Sequence, residues 1–269
     1  MYILQIKEDM REREMDVDYA IYKELLMHSH QPHIERSYKS LFNNGKLKTR
    51  EDFPKDFYNV IPLGTIDFVT AILNIFYGIE KMNPIEIPMC LRNEHFLKRK
   101  YSIVYGKDLP KTGNYFVKNV STLKTFSYSG RIDWICNEPD FLTNKKPFED
   151  DELYQVSELV PIQSEYRVYI IDGKIYAIAY YNGDACVFPD VQLIQQANLM
   201  YSMQKDYPKS YTMDIMINNR GTSIIEIHPL FSCGIYQTVL GADFLSGYRD
   251  SLEYLKKYNT KLEPFECKW

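Results

Sequence analysis

The chain has 269 residues, of which 45% are hydrophobic and 25% charged, and its formal net charge is −4 at pH 7. This length is enough for two or three packed subdomains, and the composition is ordinary for a globular protein. The mildly acidic charge argues against a non-specific nucleic-acid coat, and no apolar run approaches the roughly 18 residues needed to cross a bilayer.

The cysteines are scattered and never form a C-x-x-C pair: Cys90, Cys136, Cys186, Cys233 and Cys267. This usage predicts a reduced protein with no zinc site of the cysteine type. The first residues, MYILQIKEDMRERE, lack the basic and apolar regions of a signal peptide. We therefore expect a cytoplasmic protein with no membrane partner.

The first ninety residues show helical spacing at 19–27 and 68–77, separated by proline-containing loops. Three histidines, His28, His30 and His33, lie close together in this part. Such spacing is compatible with zinc, or with lining an acceptor site in an enzyme. No cysteine or carboxylate stands beside them at a regular spacing, which favours a polar helix end before Pro32.

The next hundred residues alternate helical, extended and turn signals. Residues 92–100 form a basic, helix-like stretch, 114–120 a strand, and 121–131 a polar loop. A hairpin follows, because Asp172-Gly173 is a strong two-residue turn signal between 165–171 and 174–181. Pairing Ile171 with Lys174 puts these residues on one, mostly apolar face: Tyr166, Val168, Ile170, Ile175, Ala177, Ala179 and Tyr181. The other face is richer in charge and phenol than a buried sheet face: Glu165, Arg167, Tyr169, Tyr176, Ile178 and Tyr180.

A helix at 191–207, a second hairpin and a closing helix at 242–258 complete the chain. The second hairpin has the turn Asn219-Arg220-Gly221, which suits a three-residue loop with glycine in the left-handed position. That loop pairs Asn218 with Thr222 and places Asp214 opposite Glu226. His228 then lies on the same face, two residues further along.

Two carboxylates that face each other repel, so neutralising Asp214 or Glu226 should leave the metal-free protein as stable or slightly more stable. A divalent cation would reverse that repulsion. Magnesium prefers one or two carboxylates together with substrate phosphates. The alternative is that both side chains point to solvent and pair with nearby lysines, and the pattern alone leaves both interpretations open.

The order of these motifs resembles a known family. It comprises the lysine of FVKN (116–119), a K-x-F loop with Lys124, Phe126 and Gly130, the segment 157–175, the IEIHP strand after Asp214, and CGIY (233–236). This order is similar to the ATP-grasp fold, in its carboxylate–amine ligase branch related to ribosomal-protein glutamate ligases. The similarity covers roughly residues 95–258 and implies an α+β protein in which two α+β subdomains clamp ATP. The implied boundaries are a variable N-terminal subdomain at 1–92, a central subdomain at 93–160 and a C-terminal subdomain at 161–269.

The resemblance also implies a set of nucleotide contacts. Lys118 would bind the phosphates, helped by an earlier lysine, for which Lys100 is preferred over Lys98. Glu158, Leu159 and Val160 would hold adenine at the hinge, and Glu165 would contact the ribose or the hinge side. Arg167 would face the phosphate or acyl phosphate, and Lys124 would cover the phosphates from a lid loop.

For the metal, the resemblance implies Asp214, Glu226 and His228 as ligands of Mg²⁺, with Mn²⁺ as an alternative. His228 departs from the family pattern, which usually has asparagine there, and histidine is a poorer magnesium ligand than an oxygen donor. Either His228 binds through water, or it accepts a proton, or metal binding is altered.

The implied function is a Mg-ATP-dependent ligase. Such an enzyme converts a carboxylate to an acyl phosphate and joins it to an amine, releasing ADP, and its partners would be small-molecule or peptide acids and amines. The alternatives are a phosphotransferase or a nucleic-acid-modifying ligase on the same fold, and a degenerate nucleotide-binding regulatory module, which His228 favours. The basic run 98–100 is better explained as a solvated helix face than as a nucleic-acid contact. The substrates and the oligomeric state are not encoded in any recognisable motif.

Overall fold

The structure is a computed structural model that describes residues 1–6, 13–120, 127–132, 148–231, 233–236, 241, 243–259 and 263–267, without the side chains of 13–17 and 131. In chain order its helices and strands are β1 (Tyr2–Gln5), α1 (Arg13–His28), β2 (His33–Arg36), β3 (Phe42–Asn43), β4 (Lys46–Leu47), β5 (Ile61–Leu63), α2 (Ile66–Tyr77), α3 (Glu94–Leu97), β6 (Tyr101–Tyr105), β7 (Asn114–Asn119), β8 (Ser127–Arg131), β9 (Leu153–Glu158), β10 (Ser164–Ile171), β11 (Lys174–Gly183), α4 (Val191–Ser202), β12 (Tyr211–Asn218), β13 (Gly221–His228), α5 (Phe244–Tyr258) and β14 (Phe265–Glu266).

The N-terminal part is a small parallel sheet, in the order β2-β1-β5, with the hairpin β3–β4 beside it. Helix α2 begins where the Thr65 hydroxyl accepts the Phe68 N–H, and it ends at Gly78 in the left-handed region. The predicted helices correspond to α1 and α2, but the three short strands were not predicted. Each has only three or four residues, so no alternation develops.

The central part is an antiparallel sheet in the order β14-β6-β9-β7-β8. The predicted helix at 92–100 is wrong beyond one turn, because Lys98 adopts a left-handed conformation and ends α3. The predicted loop at 121–131 contains β8, while residues 121–126 lie outside the described part of the chain. Strand β14, from the end of the chain, joins this sheet rather than the C-terminal one, where the predicted boundaries would have grouped it.

The C-terminal sheet, in the order β11-β10-β12-β13, is buried on both faces. One face packs against α4 through residues such as Val168, Met213 and Leu193. The other contributes Tyr169 and Ile171 to a cluster shared with α5 and the N-terminal helices. Helix α4 ends at Ser202, five residues before the predicted end, and α5 begins at Phe244. No helix in the described ranges has the length and apolar character that crossing a membrane requires.

The first hairpin confirms the predicted turn but not the predicted faces. Ile171 pairs with Lys174, as expected. Register shifts between Tyr169 and Ile170, and between Glu165 and Tyr166, then bring new partners opposite each residue. Arg167 faces Ala179, and Tyr181 donates to Glu165, so both belong to the charged face. Ile178 and Tyr180 instead face Val168 and Tyr166 on the apolar side, because each extra residue in a strand reverses the alternation beyond it.

The second hairpin confirms the facing carboxylates through a different register. Asn218 pairs with Gly221, not with Thr222, so the turn has two residues. Ile215 then pairs with Ile224, whereas Asp214 pairs with Glu226. The unpaired Ile225 makes a bulge, which we call the β13 bulge and define as Ile224 and Ile225. This extra residue restores the predicted pair of Asp214 and Glu226.

Candidate functional site

The site is built around a row of charged residues on neighbouring strands. Arg167 on β10 pairs with Asp214 on β12, which pairs with Glu226 on β13, so the three side chains share one face of the sheet. The Arg167 guanidinium donates to both Asp214 oxygens, from Nε to Oδ1 at 2.8 Å and from Nη2 to Oδ2 at 2.7 Å. Both residues are buried, which makes this a strong bidentate ion pair.

Glu226 has partners on both of its oxygens. Its Oε2 accepts from the Lys118 ammonium, and its Oε1 lies 2.6 Å from His228 Nε2. Lys118 comes from β7 in the central sheet, so this ion pair joins the central and C-terminal sheets. Burial alone would raise the pKa of Glu226, but His228 and Lys118 reverse that effect and hold the pKa below its ordinary value. Glu226 is therefore ionised at neutral pH.

Asp214, Glu226 and His228 fit a divalent cation in spacing and chemistry. Each offers one ligand atom, and these three atoms all lie within 4.8 Å of one another. The donors are two carboxylate oxygens and one imidazole nitrogen, a set that suits magnesium less well than three oxygens and manganese better. Each carboxylate already has a cation partner, so an incoming metal ion must compete with Lys118 for Glu226.

Arg167 also contacts the CGIY segment. Its Nη1 donates to the Gly234 carbonyl at 3.0 Å, and the Tyr169 hydroxyl donates to the same oxygen at 3.0 Å. The rings of Tyr181 and Tyr236 stack at 5.0 Å, and the guanidinium lies 5.7 Å and 5.2 Å from their centroids. These two rings and the Gly234 carbonyl fix the guanidinium plane. The sequence analysis included CGIY only as part of the motif order, and assigned Tyr181 to the wrong face.

Glu165 belongs to the same surface. Its Oε2 accepts from the Tyr181 hydroxyl at 2.8 Å, and its Oε1 accepts from the Asn182 amide at 2.7 Å. The Tyr181 ring therefore links Glu165 to Arg167. Burial, followed by the negative charges of Asp214 and Glu165, raises the pKa of the Tyr181 phenol, so it remains a hydrogen-bond donor to Glu165.

Glu158 lies at the predicted hinge and is held by Arg220, a residue that the sequence analysis did not assign to the site. The guanidinium donates from Nη1 to Oε2 at 2.9 Å and from Nη2 to Oε1 at 2.6 Å, and this hydrogen bonding lowers the pKa of Glu158. Lys100 accepts the Glu158 N–H with its backbone carbonyl at 3.0 Å, so these two predicted residues are neighbours. Leu159 and Val160 follow at the surface edge, and Leu159 is exposed. Lys124 lies outside the described residues.

The space between the two sheets is narrow. A cavity of about 20 Å³ is bordered by Lys118, Gln155, Glu226 and His228, together with part of the 83–87 segment. A volume of this size holds about one water molecule. The Lys118–Glu226 ion pair closes the cleft at this point, so a larger ligand requires the two sheets to separate.

Two sheet-based units joined by a cross-cleft ion pair define an ATP-grasp architecture. D-alanine–D-alanine ligase from Bacillus anthracis has a similar structure, with a TM-score of 0.54 and 15% identity over 96% of this chain and 99% of that chain. The same ligase complexed with ATP gives 0.52 at 14% identity over 96% and 98%. D-alanyl-alanine synthetase A from Vibrio cholerae O1 biovar eltor str. N16961 gives 0.54 at 13% identity over 94% and 98%. At these identities the likeness establishes the fold alone.

The sequence settles the family. The model of an ATP-grasp domain, the second family of its clade, matches residues 96–242, which is more than half of the chain, and the protein belongs to this ATP-grasp family. No protein of curated function matches the sequence. The expected α+β ATP-grasp fold is thus confirmed, whereas the roles of individual site residues remain predictions.

Proposed function

We propose that the protein is a Mg-ATP-dependent ligase that activates a carboxylate as an acyl phosphate and joins it to an amine, with release of ADP and phosphate. Membership of an ATP-grasp family supports ATP binding, and structures with a similar fold include D-alanine–D-alanine ligases. The observation that carries the proposal is the contact of Lys118 with Glu226 across the cleft. A phosphate-binding cation and a metal-binding carboxylate are paired with each other where Mg-ATP would enter.

The nucleotide would lie between the central and C-terminal sheets. Lys118 and Lys100 would bind its phosphates, and the backbone of Glu158 to Val160 would hold adenine, with Glu165 on the ribose side. Because the present cavity admits only about one water molecule, nucleotide entry must separate the sheets and break the Lys118–Glu226 pair. The phosphates then replace Glu226 as the anionic partner of Lys118.

Asp214, Glu226 and His228 would hold the metal ion. Bound there, Mg²⁺ offsets negative charge on the phosphates during transfer. The chain's own contribution is positional: Lys118 fixes the phosphates, and the stacked tyrosines and Gly234 orient Arg167. An arginine has five N–H groups, and Arg167 uses three of them on Asp214 and Gly234. The described residues do not engage the other two, which are suited to an acyl phosphate.

Thermal melting with ATP, with and without Mg²⁺, tests nucleotide binding. ATP at about 100 times its dissociation constant should add about 2.7 kcal/mol of stability. Lys118→Met should remove most of this gain. Lys174→Met, in the exposed turn of the first hairpin, is the matched control and should keep it. The absence of any stabilisation of the wild type at millimolar Mg-ATP would refute the proposal.

Chromatography of the nucleotide products after incubation with a pool of carboxylates and amines tests the reaction. We expect ADP with one equivalent of phosphate, formed only when the correct acid is present, since Lys118 and Arg167 would surround the terminal phosphates. AMP as the sole product would instead support a nucleotidyl-transfer ligase. Bound ATP without turnover would support the regulatory module, which the histidine at position 228 favours.

A further inference from the structure

Arg99 is a buried cation that the proposed reaction does not use. Only 4% of its surface is exposed, and it forms no ion pair with any carboxylate of the described residues. Its guanidinium instead donates to three backbone carbonyls, those of Leu97 at 3.1 Å, Ile224 at 2.7 Å and Ile225 at 3.3 Å. Burial lowers the pKa of Arg99 to about 10. Since a buried charge without a counter-ion opposes folding, these carbonyl contacts need an explanation.

Two of the three carbonyls are those of the β13 bulge. A bulge leaves backbone groups without ladder partners, and the planar fork of an arginine can reach two neighbouring carbonyls at once. Lysine carries a single nitrogen and matches this pair less well. Arg99 stands just before β6 in the central sheet, so it holds the bulge from the opposite side of the cleft.

The β13 bulge determines which way the candidate metal ligands point. From the turn to Ile224 the ladder pairs Ile215 with Ile224. Without the extra residue, Asp214 would face Ile225, and Glu226 would face Met213, which lies in the core against α4. A shift of one residue moves every following side chain to the other face. Glu226 and His228 would then enter the hydrophobic core, and Ile227 would enter the cleft.

We infer that Arg99 is a positioning residue that keeps Glu226 and His228 on the same face as Asp214 by holding the carbonyls of the β13 bulge. The inference rests on the proposed function, because the three residues are taken as the metal site. Arg99 itself touches neither the metal nor the nucleotide. Its loss should therefore weaken metal binding while leaving the nucleotide contacts of Lys118 in place.

The test compares Arg99→Met and Arg99→Lys with the wild type and a matched control. Arg50→Met is the control, because Arg50 also donates to backbone carbonyls, those of Phe53, Pro54, Lys55 and Phe57, within the N-terminal part of the chain. Mn²⁺ binding is measured by electron paramagnetic resonance in the presence of a non-hydrolysable ATP analogue. Binding of the analogue without metal is measured by calorimetry, and hydrogen exchange of segment 222–228 by mass spectrometry.

For Arg99→Met we expect Mn²⁺ affinity to fall by about tenfold or more, as is typical when a residue that orients metal ligands is lost. Analogue affinity without metal should change less than about twofold, and segment 222–228 should exchange faster. Arg99→Lys should be intermediate, and Arg50→Met should alter neither Mn²⁺ affinity nor exchange in this segment.

Unchanged Mn²⁺ affinity in Arg99→Met would overturn the inference while leaving the proposed function intact. Equal losses of metal and analogue affinity would also overturn it, since they indicate general damage to the cleft. If the wild type binds neither Mn²⁺ nor the analogue, the proposed function fails, and hydrogen exchange decides the structural claim alone. Exchange at 222–228 that is faster in Arg99→Met than in Arg50→Met would support the clamp, and equal exchange would refute it.

Discussion

Replacing Asp214 by asparagine should strongly destabilise the protein in the absence of metal. Considered from the sequence alone, Asp214 and Glu226 repel each other, so the same substitution should be neutral or favourable. The structure reverses the sign, because each carboxylate has its own cation partner. An asparagine at this position would remove the charge that Arg167 faces in a buried environment.

The magnitude follows from the burial of the pair. Asp214 is 2% exposed and Arg167 is 8% exposed, and two short hydrogen bonds of 2.7 Å and 2.8 Å join them. Breaking a buried pair by removing one partner costs about 3–5 kcal/mol, because the other charge is left uncompensated. An asparagine oxygen can still accept one of the two bonds. We therefore expect a loss near the lower end, about 3 kcal/mol.

Urea denaturation at neutral pH, in EDTA and without nucleotide, measures this loss. Arg167→Met and the double variant Arg167→Met/Asp214→Asn complete a double-mutant cycle, in which the double variant should cost clearly less than the sum of the single ones. A coupling of about 2 kcal/mol is expected for directly bonded partners. A loss below about 1 kcal/mol, or additive single variants, would show that the pair contributes little. The expectation from carboxylate repulsion would then hold after all.

Three further outcomes test the electrostatics of the site. Lys118→Met should strengthen Mn²⁺ binding without nucleotide, because Glu226 loses a competitor, and should weaken ATP binding; a loss of both affinities would contradict the exchange, and Lys174→Met is the control. Since the pKa of Glu226 is lowered on folding, its contribution to stability is present above its unfolded value of about 4.3 and is lost as the pH falls below it, so Glu226→Gln should flatten the acid limb of a stability–pH curve. Arg167→Lys should lower turnover by at least about tenfold in an ADP-release assay, because an ammonium cannot hold two oxygens in a fixed plane, and wild-type turnover would exclude this role.

The turn at Asp172-Gly173 and the facing of Asp214 with Glu226 could both be predicted from sequence, but for different reasons. The first depends on two residues whose backbone conformation favours a tight hairpin, and it is correct. The second was obtained from a three-residue turn that the structure does not contain. Because the β13 bulge adds one residue to the count that the shorter turn removes, the two errors cancel.

Bulges and cross-sheet contacts could not be predicted because their causes lie far away in the chain. The β13 bulge is held by Arg99, which is 125 residues from Ile224, and Lys118 meets Glu226 from a distance of 108 residues. Nothing in the local pattern of IIEIH distinguishes a bulged strand from a regular one. Arg220 at the hairpin tip shows the same limit, since its partner Glu158 is 62 residues away.

The pairing of Lys118 with Glu226 bears on how metal and nucleotide enter the site. A metal ion alone must displace Lys118 and leave that ammonium without an anion in a half-buried cleft, which opposes binding. ATP alone faces the converse problem, because its phosphates attract Lys118 but leave Glu226 ionised beside them. When the two enter together, Lys118 exchanges Glu226 for a phosphate, and Glu226 exchanges Lys118 for the metal. Neither protein charge is then left unpaired, so the structure favours binding of the metal–nucleotide complex over either component.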